Sequence, residues 1–348
     1  MRAPIVAFFN NKGGVGKTSL VYHLAWMYAE LGIRVVAADL DPQANLTAAS
    51  VDEDVLEILW PADGHPKTVY GCVRPLMRGV GDIGDPYLED IEPAIALLVG
   101  DLALSSFEDQ LSDAWPRCLD REERAFRVMS AFWRIQQRAA EQHQADIVLM
   151  DMGPNLGAIN RSALIAADYV VFPLSPDLFS LQGLRNLGPA LRGWRSQWAD
   201  RLPRNPDPDL PLPPGRMAPA GYVVLQHSVR LDRPVKAYDK WIARIPEVYR
   251  TSVLGEPGDD RTTRLQEDPH CIAMLKHYRS LMPLALEARK PMFHLKPADG
   301  ALGAHMQAAQ SAYRDFEELA RRVAHATGVM VPQPQRAGAP LVLVPQAG

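Results

Sequence analysis

The sequence predicts an α/β protein built on a doubly wound, mostly parallel sheet flanked by helices. Three observations predict it. The short apolar runs Ile5–Asn10, Arg34–Ala38, Ile147–Met150, Tyr169–Phe172 and Tyr222–Leu225 have the length and composition of strands buried on both faces. Segments of helical period lie between them, the clearest from Thr18 to Leu31, where Leu20, Leu24, Met27 and Leu31 recur before Gly32. The first strand, a glycine-rich turn, that helix and the second strand form a βαβ unit, which joins parallel strands through a right-handed crossover.

The remaining elements run in chain order. Residues 51–120, rich in proline, glycine and acidic side chains, read as a helical excursion with long loops at one sheet edge, and 52–140 is the least regular interval. Arg121–Gln144 reads as helix. The proline-rich segment 203–219 reads as a surface loop. In 301–326, Met306, Ala309, Tyr313, Phe316, Leu319 and Val323 share one face of an amphipathic helix. Residues 1–326 therefore read as one domain, and 327–348, rich in proline and glycine, as a flexible tail.

With 348 residues, 47% of them hydrophobic, the chain can bury a core without metal or disulfide. Its three cysteines, Cys72, Cys118 and Cys271, lie far apart, which argues for a reducing compartment and against a disulfide framework or zinc ribbon. No apolar run approaches the roughly 18 residues of a membrane span. The opening MRAPIVAFFN lacks a basic flank and a cleavage site, so a cytoplasmic protein is expected. The net charge of −4 is unevenly spread: residues 1–184 hold 14 basic against 25 acidic side chains, and residues 185–296 hold 19 against 12. A basic second half suits a polyanionic partner, and equally a solvated face.

Between the first strand and helix lies Asn11-Lys12-Gly13-Gly14-Val15-Gly16-Lys17-Thr18-Ser19. Such a turn aims backbone N–H groups and a helix N-terminus at one point, and glycines let the backbone wrap phosphate oxygens closely. Lys17 can reach β- and γ-phosphates, and the Thr18 hydroxyl suits Mg²⁺. The usual pattern places glycine six residues before this lysine, where the chain has Asn11.

The segment Lys12–Thr18 resembles the deviant Walker A loop, KGGxGK[ST], of the ParA/MinD family of ATPases, closest to ParA (Soj-like) partition ATPases. The resemblance implies a P-loop NTPase fold, ATP and Mg²⁺ as cofactors, and a homodimer formed with ATP. In it Lys12 would cross to the partner's nucleotide and act much as an arginine finger does, while Lys17 serves its own. Asp39-Leu40-Asp41-Pro42-Gln43-Ala44-Asn45 resembles the family's DxDPQGN switch, with Asp41 positioning the attacking water and Asp39 supporting it; Ala44 replaces a glycine. Asp151, opening Asp-Met-Gly-Pro-Asn-Leu-Gly, resembles the Walker B aspartate, with Gly153 at a place where proline is common. Thr18, Asp41 and Asp151 form the implied Mg²⁺-facing set. Asn160–Pro173 and Leu295–Gly300 also look ParA-like. Adenine recognition falls to Gln226, where the family usually has asparagine.

The resemblance implies a partition switch that binds DNA without sequence preference while ATP-bound, becomes nucleoid-associated, and is discharged by a ParB-like or other activating protein. The cations available for phosphate contacts are Arg230, Arg233, Lys236, Lys240, Arg244, Arg250, Lys276 and Arg279. No helix-turn-helix precedes Ile5, so sequence-specific repression is not expected. A MinD-like membrane switch would need a basic amphipathic C-terminal helix, whereas only Arg336 is basic after Arg322. A reductase on this fold would need paired cluster cysteines, which the chain lacks. Positioning of protein cargo, or defence against phage, uses the same switch and stays open.

Overall fold

The computed structural model describes residues 2–62, 64–225, 240–258, 264–278 and 280–332. The apolar runs form strands β1 (Ile5–Phe8), β2 (Val35–Asp39), β3 (Leu88–Glu92), β4 (Ile95–Leu98), β5 (Ile147–Asp151), β6 (Tyr169–Leu174), β7 (Ala218–Leu225) and β8 (Cys271–Leu275). They make one sheet in the order β3-β4-β2-β5-β1-β6-β7-β8, parallel throughout except for β3 against β4.

Side chains alternate between two apolar layers, as the strand repeat requires. Ile5, Ala7 and Phe9 enter one layer, and Val6 and Phe8 the other; Val36 and Ala38 oppose Val35 and Ala37 in the same way. The first layer is closed by α4 (Val69–Met77), α5 (Glu108–Arg117), α6 (Glu123–Met129), α7 (Ala131–His143), α8 (Ala158–Ala166), α9 (Leu178–Arg201) and α10 (Ile245–Val248). The second is closed by α1 (Lys17–Glu30), α2 (Asn45–Ser50), α3 (Glu53–Leu59), α11 (Leu281–Ala288) and α12 (Ala304–Thr327). With helices on both faces, the C-terminal strand ends form the open edge where such sheets bind ligands.

The interval read as a helical excursion contains two strands as well as helices. Ile95–Val99 is five apolar residues, too short to separate strand from helix by period. It becomes the wholly buried β4, parallel to β2. β3, with the sequence LEDIE, is a half-exposed antiparallel edge whose acidic side chains discourage further pairing. Arg121–Gln144 is two helices, divided at Ser130 and preceded by Arg121 at φ 61°.

The proline-rich segment is irregular up to Ala218 yet partly buried. Leu210 and Met217 enter the core, and the Trp198 indole N–H donates to Pro213 O at 2.9 Å. Past Thr327, Val329 and Val331 pack against the layer holding α1 and α12. All three cysteines are free and buried, and burial pushes Cys72 and Cys271 up to about 11 and Cys118 to about 12.

Trp198 is wholly buried on α9, stacked 6.2 Å from Trp115. Trp198→Ala should cost about 3–5 kcal/mol in urea denaturation, from the cavity and the orphaned Pro213 carbonyl; a loss under about 1 kcal/mol would show that the proline-rich segment does not depend on this contact.

Candidate nucleotide site

β1 ends at Phe8, and the buried Asn10 fixes the path of the loop that leaves it. Its Nδ2 donates to Pro173 O at 2.7 Å, tying the loop to β6, and its Oδ1 accepts Lys12 N at 2.9 Å. Gly14 and Gly16 sit at φ +71° and +89°, the left-handed region where a side chain would be strained. α1 starts at Lys17, so its unpaired first N–H groups and positive dipole end face the loop. The buried Val15 anchors the turn from below. Above it opens a cavity of about 710 Å³, lined by Gly13, Gly14, Gly16, Lys17, Thr18 and Ser19 and closed by Asp41, Gln43, Met282 and Arg289.

The two lysines of the loop occupy different places. Lys17 is buried; desolvation lowers its pKa, while Asp151 and Asp41 oppose that shift. The Lys12 ammonium stands at the rim with 32% of its side chain exposed, paired with Asp177 and 5.9 Å from the Phe179 ring centre. Asp177 also caps α9, accepting Ser180 N at 2.9 Å.

Asp39 and Asp151 end β2 and β5 and are register partners. Thr18 Oγ1 donates to Asp151 Oδ2 at 2.6 Å, and Asp151 Oδ1 is buried without a hydrogen-bond partner. Asp39 Oδ2 accepts both Thr47 N and Thr47 Oγ1 at 2.8 Å, and Thr47 Oγ1 accepts Gly100 N at 2.8 Å. Asp39 therefore fixes the turn 40–47, in which Ala44 adopts φ 50°, a conformation glycine would take without strain. Asp41 lies beside Gly153, where a Cβ would come 3.2 Å from its Oδ1, so glycine suits that position. Asn160 Nδ2 on α8 donates to Gly153 O at 2.9 Å and Asn155 O at 2.7 Å, holding the loop after Asp151. Burial raises the pKa of Asp39 and of Asp151, with Asp151 adding to the first shift and Asp41 to the second.

The residues fit a magnesium nucleotide. Thr18 Oγ1 and the orphaned Asp151 oxygen are hard oxygen atoms of the kind Mg²⁺ takes, beside the glycine-rich loop. Among the described residues no three His, Cys, Asp or Glu side chains converge on a cation, and Mg²⁺ ordinarily takes one or two protein ligands together with phosphate and water. Beside Gly16 lies a mostly apolar recess of about 110 Å³, lined by Leu225, Leu275, Tyr278, Met292 and Phe316 with Ser19, Lys276 and His277. Gln226, at its edge in sequence, lies outside the described residues.

So do Arg230, Arg233, Lys236 and Arg279 among the candidate phosphate contacts. Lys240 and Arg244 both lie 5.5 Å from the Trp241 ring centre. Lys276 is engaged by Asp315 at 3.2 Å, and Arg250 lies half-buried in the turn Tyr249–Leu254. Sequence reasoning missed Asn10, which carries no motif of its own, the loop-holding role of Asn160, which it placed only within the ParA-like stretch Asn160–Pro173, and Asp177, whose only signal is a capping aspartate three residues before Ser180.

This geometry defines a P-loop nucleotide-binding protein. The chain belongs to the family described as AAA domain, whose model AAA_31 matches residues 3–202. It is similar to protein IncC of Escherichia coli, 32% identical over 178 residues that cover 51% of this chain and 43% of IncC. It is similar also to the sporulation initiation inhibitor protein Soj of Bacillus subtilis, 29% identical over 183 residues, 53% of this chain and 62% of Soj. The chain spans about half the length of the curated relatives it matches. Protein DIP2308 of Corynebacterium diphtheriae shares the fold, with a TM-score of 0.68 at 24% identity over 93% of this chain and 98% of that one. The resemblance to ParA-type partition ATPases thus holds at the level of family and fold. No helix among the described residues is long and apolar enough to cross a membrane.

Asp39 and Asp151 hold protons in the folded chain that the unfolded chain would release, since their pKa values are raised. Their contribution is least unfavourable near pH 4, the unfolded value, and stability falls as pH rises above it toward neutrality. The midpoint of urea unfolding, followed from pH 5 to pH 8 without nucleotide, should therefore move more steeply for wild type than for Asp39→Asn. Identical pH slopes in the two proteins would contradict the assignment.

Proposed function

We propose that this chain is an ATP-dependent dimerisation switch that hydrolyses ATP slowly and, in its ATP state, binds DNA without sequence preference to partition or position cargo. The observation that supports the reading is the different placement of two lysines on one loop, one buried and one part-exposed. Lys17 is buried at the cradle, where it can meet the β- and γ-phosphates of its own nucleotide. Lys12 stands part-exposed, in an ion pair with Asp177 that it would exchange for a phosphate on a second copy. Leu102, Leu156, Leu178 and Phe179 are exposed, Phe179 to 72%, on segments that follow β4, β5 and β6 at the C-terminal edge of the sheet. An apolar rim of this kind gains by being covered.

Thr18 and Asp151 would hold Mg²⁺, which when bound offsets phosphate charge. Asp41, which lines the cavity beside Gly153 and accepts Gln43 N at 3.0 Å, would accept a hydrogen bond from an attacking water. Lys12 of the second copy would offset charge growing on the transferred phosphoryl oxygens. DNA contact would rest on the basic second half, Lys240 and Arg244 among the described cations, and an activating protein would set the rate of release. IncC and Soj support the family, while cargo and partner are this chain's own.

ATPase rate, dimerisation and DNA retention in wild type, Lys12→Ala and Asp41→Ala test the proposal. Asp41→Ala should dimerise with ATP but not turn over, and Lys12→Ala should lose about 10³-fold in turnover. A monomeric Lys12→Ala hydrolysing at the wild-type rate would remove the switch. DNA retention should need ATP and weaken steeply as salt rises; equal retention with ADP would remove the DNA arm.

A further inference from the structure

The helix α8 begins directly after the loop that carries Asp151, Gly153 and Asn155, and it has no cap of its own, because its N-cap residue is Gly157. The first N–H groups of a helix need acceptors. Here they come from α5, fifty residues earlier: Glu108 Oε1 accepts Ala158 N at 2.5 Å and Oε2 accepts Ile159 N at 2.8 Å. One carboxylate thus satisfies two orphan donors and meets the positive end of the α8 dipole. A Cβ on Gly157 would lie 2.6 Å from Glu108 Oε1, so the glycine leaves the room this contact uses. One turn later the Arg161 guanidinium lies 4.7 Å from the ring centre of Trp115, also on α5. The two helices are therefore joined at two levels.

We propose that Glu108 is a positioning residue for hydrolysis, fixing the loop between Asp151 and α8 and through it the placement of Gly153 against Asp41. The connection is continuous: Glu108 holds the start of α8, Asn160 on α8 holds Gly153 O and Asn155 O, and Gly153 borders Asp41. Glu108 has no part in the phosphate cradle of residues 10–18, so its loss acts on turnover and not on nucleotide affinity. The inference rests on the reading of this site as an ATPase.

The full-length chain carrying Glu108→Ala, Glu108→Gln, or Glu108→Ala with Gly157→Ser is tested for ATP turnover, for affinity toward a fluorescent ATP analogue, and for amide exchange at residues 152–159. Serine at an N-cap gives α8 a local acceptor without restoring the tie to α5. Glu108→Ala should lower kcat about tenfold with analogue affinity held within about twofold, and should speed exchange across 152–159. Glu108→Gln, which keeps an acceptor oxygen, should fall between it and wild type, and it serves if the alanine variant does not fold. The added serine, whose hydroxyl can accept from the second N–H of the helix, should restore protection at Ile159 but not kcat. Unchanged kcat in Glu108→Ala, or kcat restored by the serine alone, overturns the inference. If wild type does not hydrolyse ATP, the functional reading fails, and exchange at 152–157 decides this one: faster exchange in the variant upholds it, unchanged exchange overturns it.

Discussion

The hydrogen bond from Thr18 Oγ1 to Asp151 Oδ2, at 2.6 Å, is the contact on which the rest of the site depends. It joins the first turn of α1 to the end of β5, two pieces 133 positions apart in the chain, and so sets the phosphate loop against the sheet. Both partners are at element ends, where backbone direction is already fixed by the parallel ladder between β1 and β5. Asn10 performs the matching task on the other side, tying the loop to β6 through Pro173 O. Between these two clamps the loop has little freedom, and the glycines at 14 and 16 let it take the one path that turns its N–H groups inward.

The arrangement is stable as a scaffold and unfavourable as a local charge set. Asp39 and Asp151 are wholly buried, and Lys17 is the buried cation facing Asp151 and Asp41. Buried carboxylates of one sign repel and are poorly solvated, which is the cause of their raised pKa values. Burial of the surrounding strands supports this cost, and a bound cation would relieve it. Sites that do chemistry commonly carry such locally unfavourable groups held by a well-packed surround. Asp39 illustrates the distinction within the set: its oxygens are occupied by Thr47 and the backbone of Asp41, so it shapes the switch turn, while Asp41 is left beside the cavity.

Much of this was legible in the sequence because the informative residues are local. The strand–turn–helix of 5–31 writes its conformation in a few adjacent residues, and Asp41 and Asp151 each stand at or just past the end of an apolar run. β4 was not legible, since five apolar residues with no period of their own fit either a strand or a buried helical turn. The division of 121–144 rests on Ser130, which leaves no compositional mark. Glu108 and Asp177 were illegible for another reason: their partners, the N-terminus of α8 and Lys12, become neighbours only after the sheet has formed. The phosphate contacts expected near 230–236 and at 279, and the base contact expected at Gln226, fall outside the described residues.

In the proposed switch, one lysine of the loop serves its own nucleotide and the other serves a second copy. Mixing Lys12→Ala with Asp41→Ala protein tests this most directly. In a mixed dimer the Lys12→Ala subunit keeps Asp41 and receives Lys12 from its companion, so one complete site is rebuilt from two inactive chains. Neither variant should hydrolyse ATP alone, and the mixture should regain turnover that rises with total protein concentration. A mixture as inactive as its components, with both variants shown to be folded and to bind ATP, would contradict the division of roles between Lys12 and Lys17.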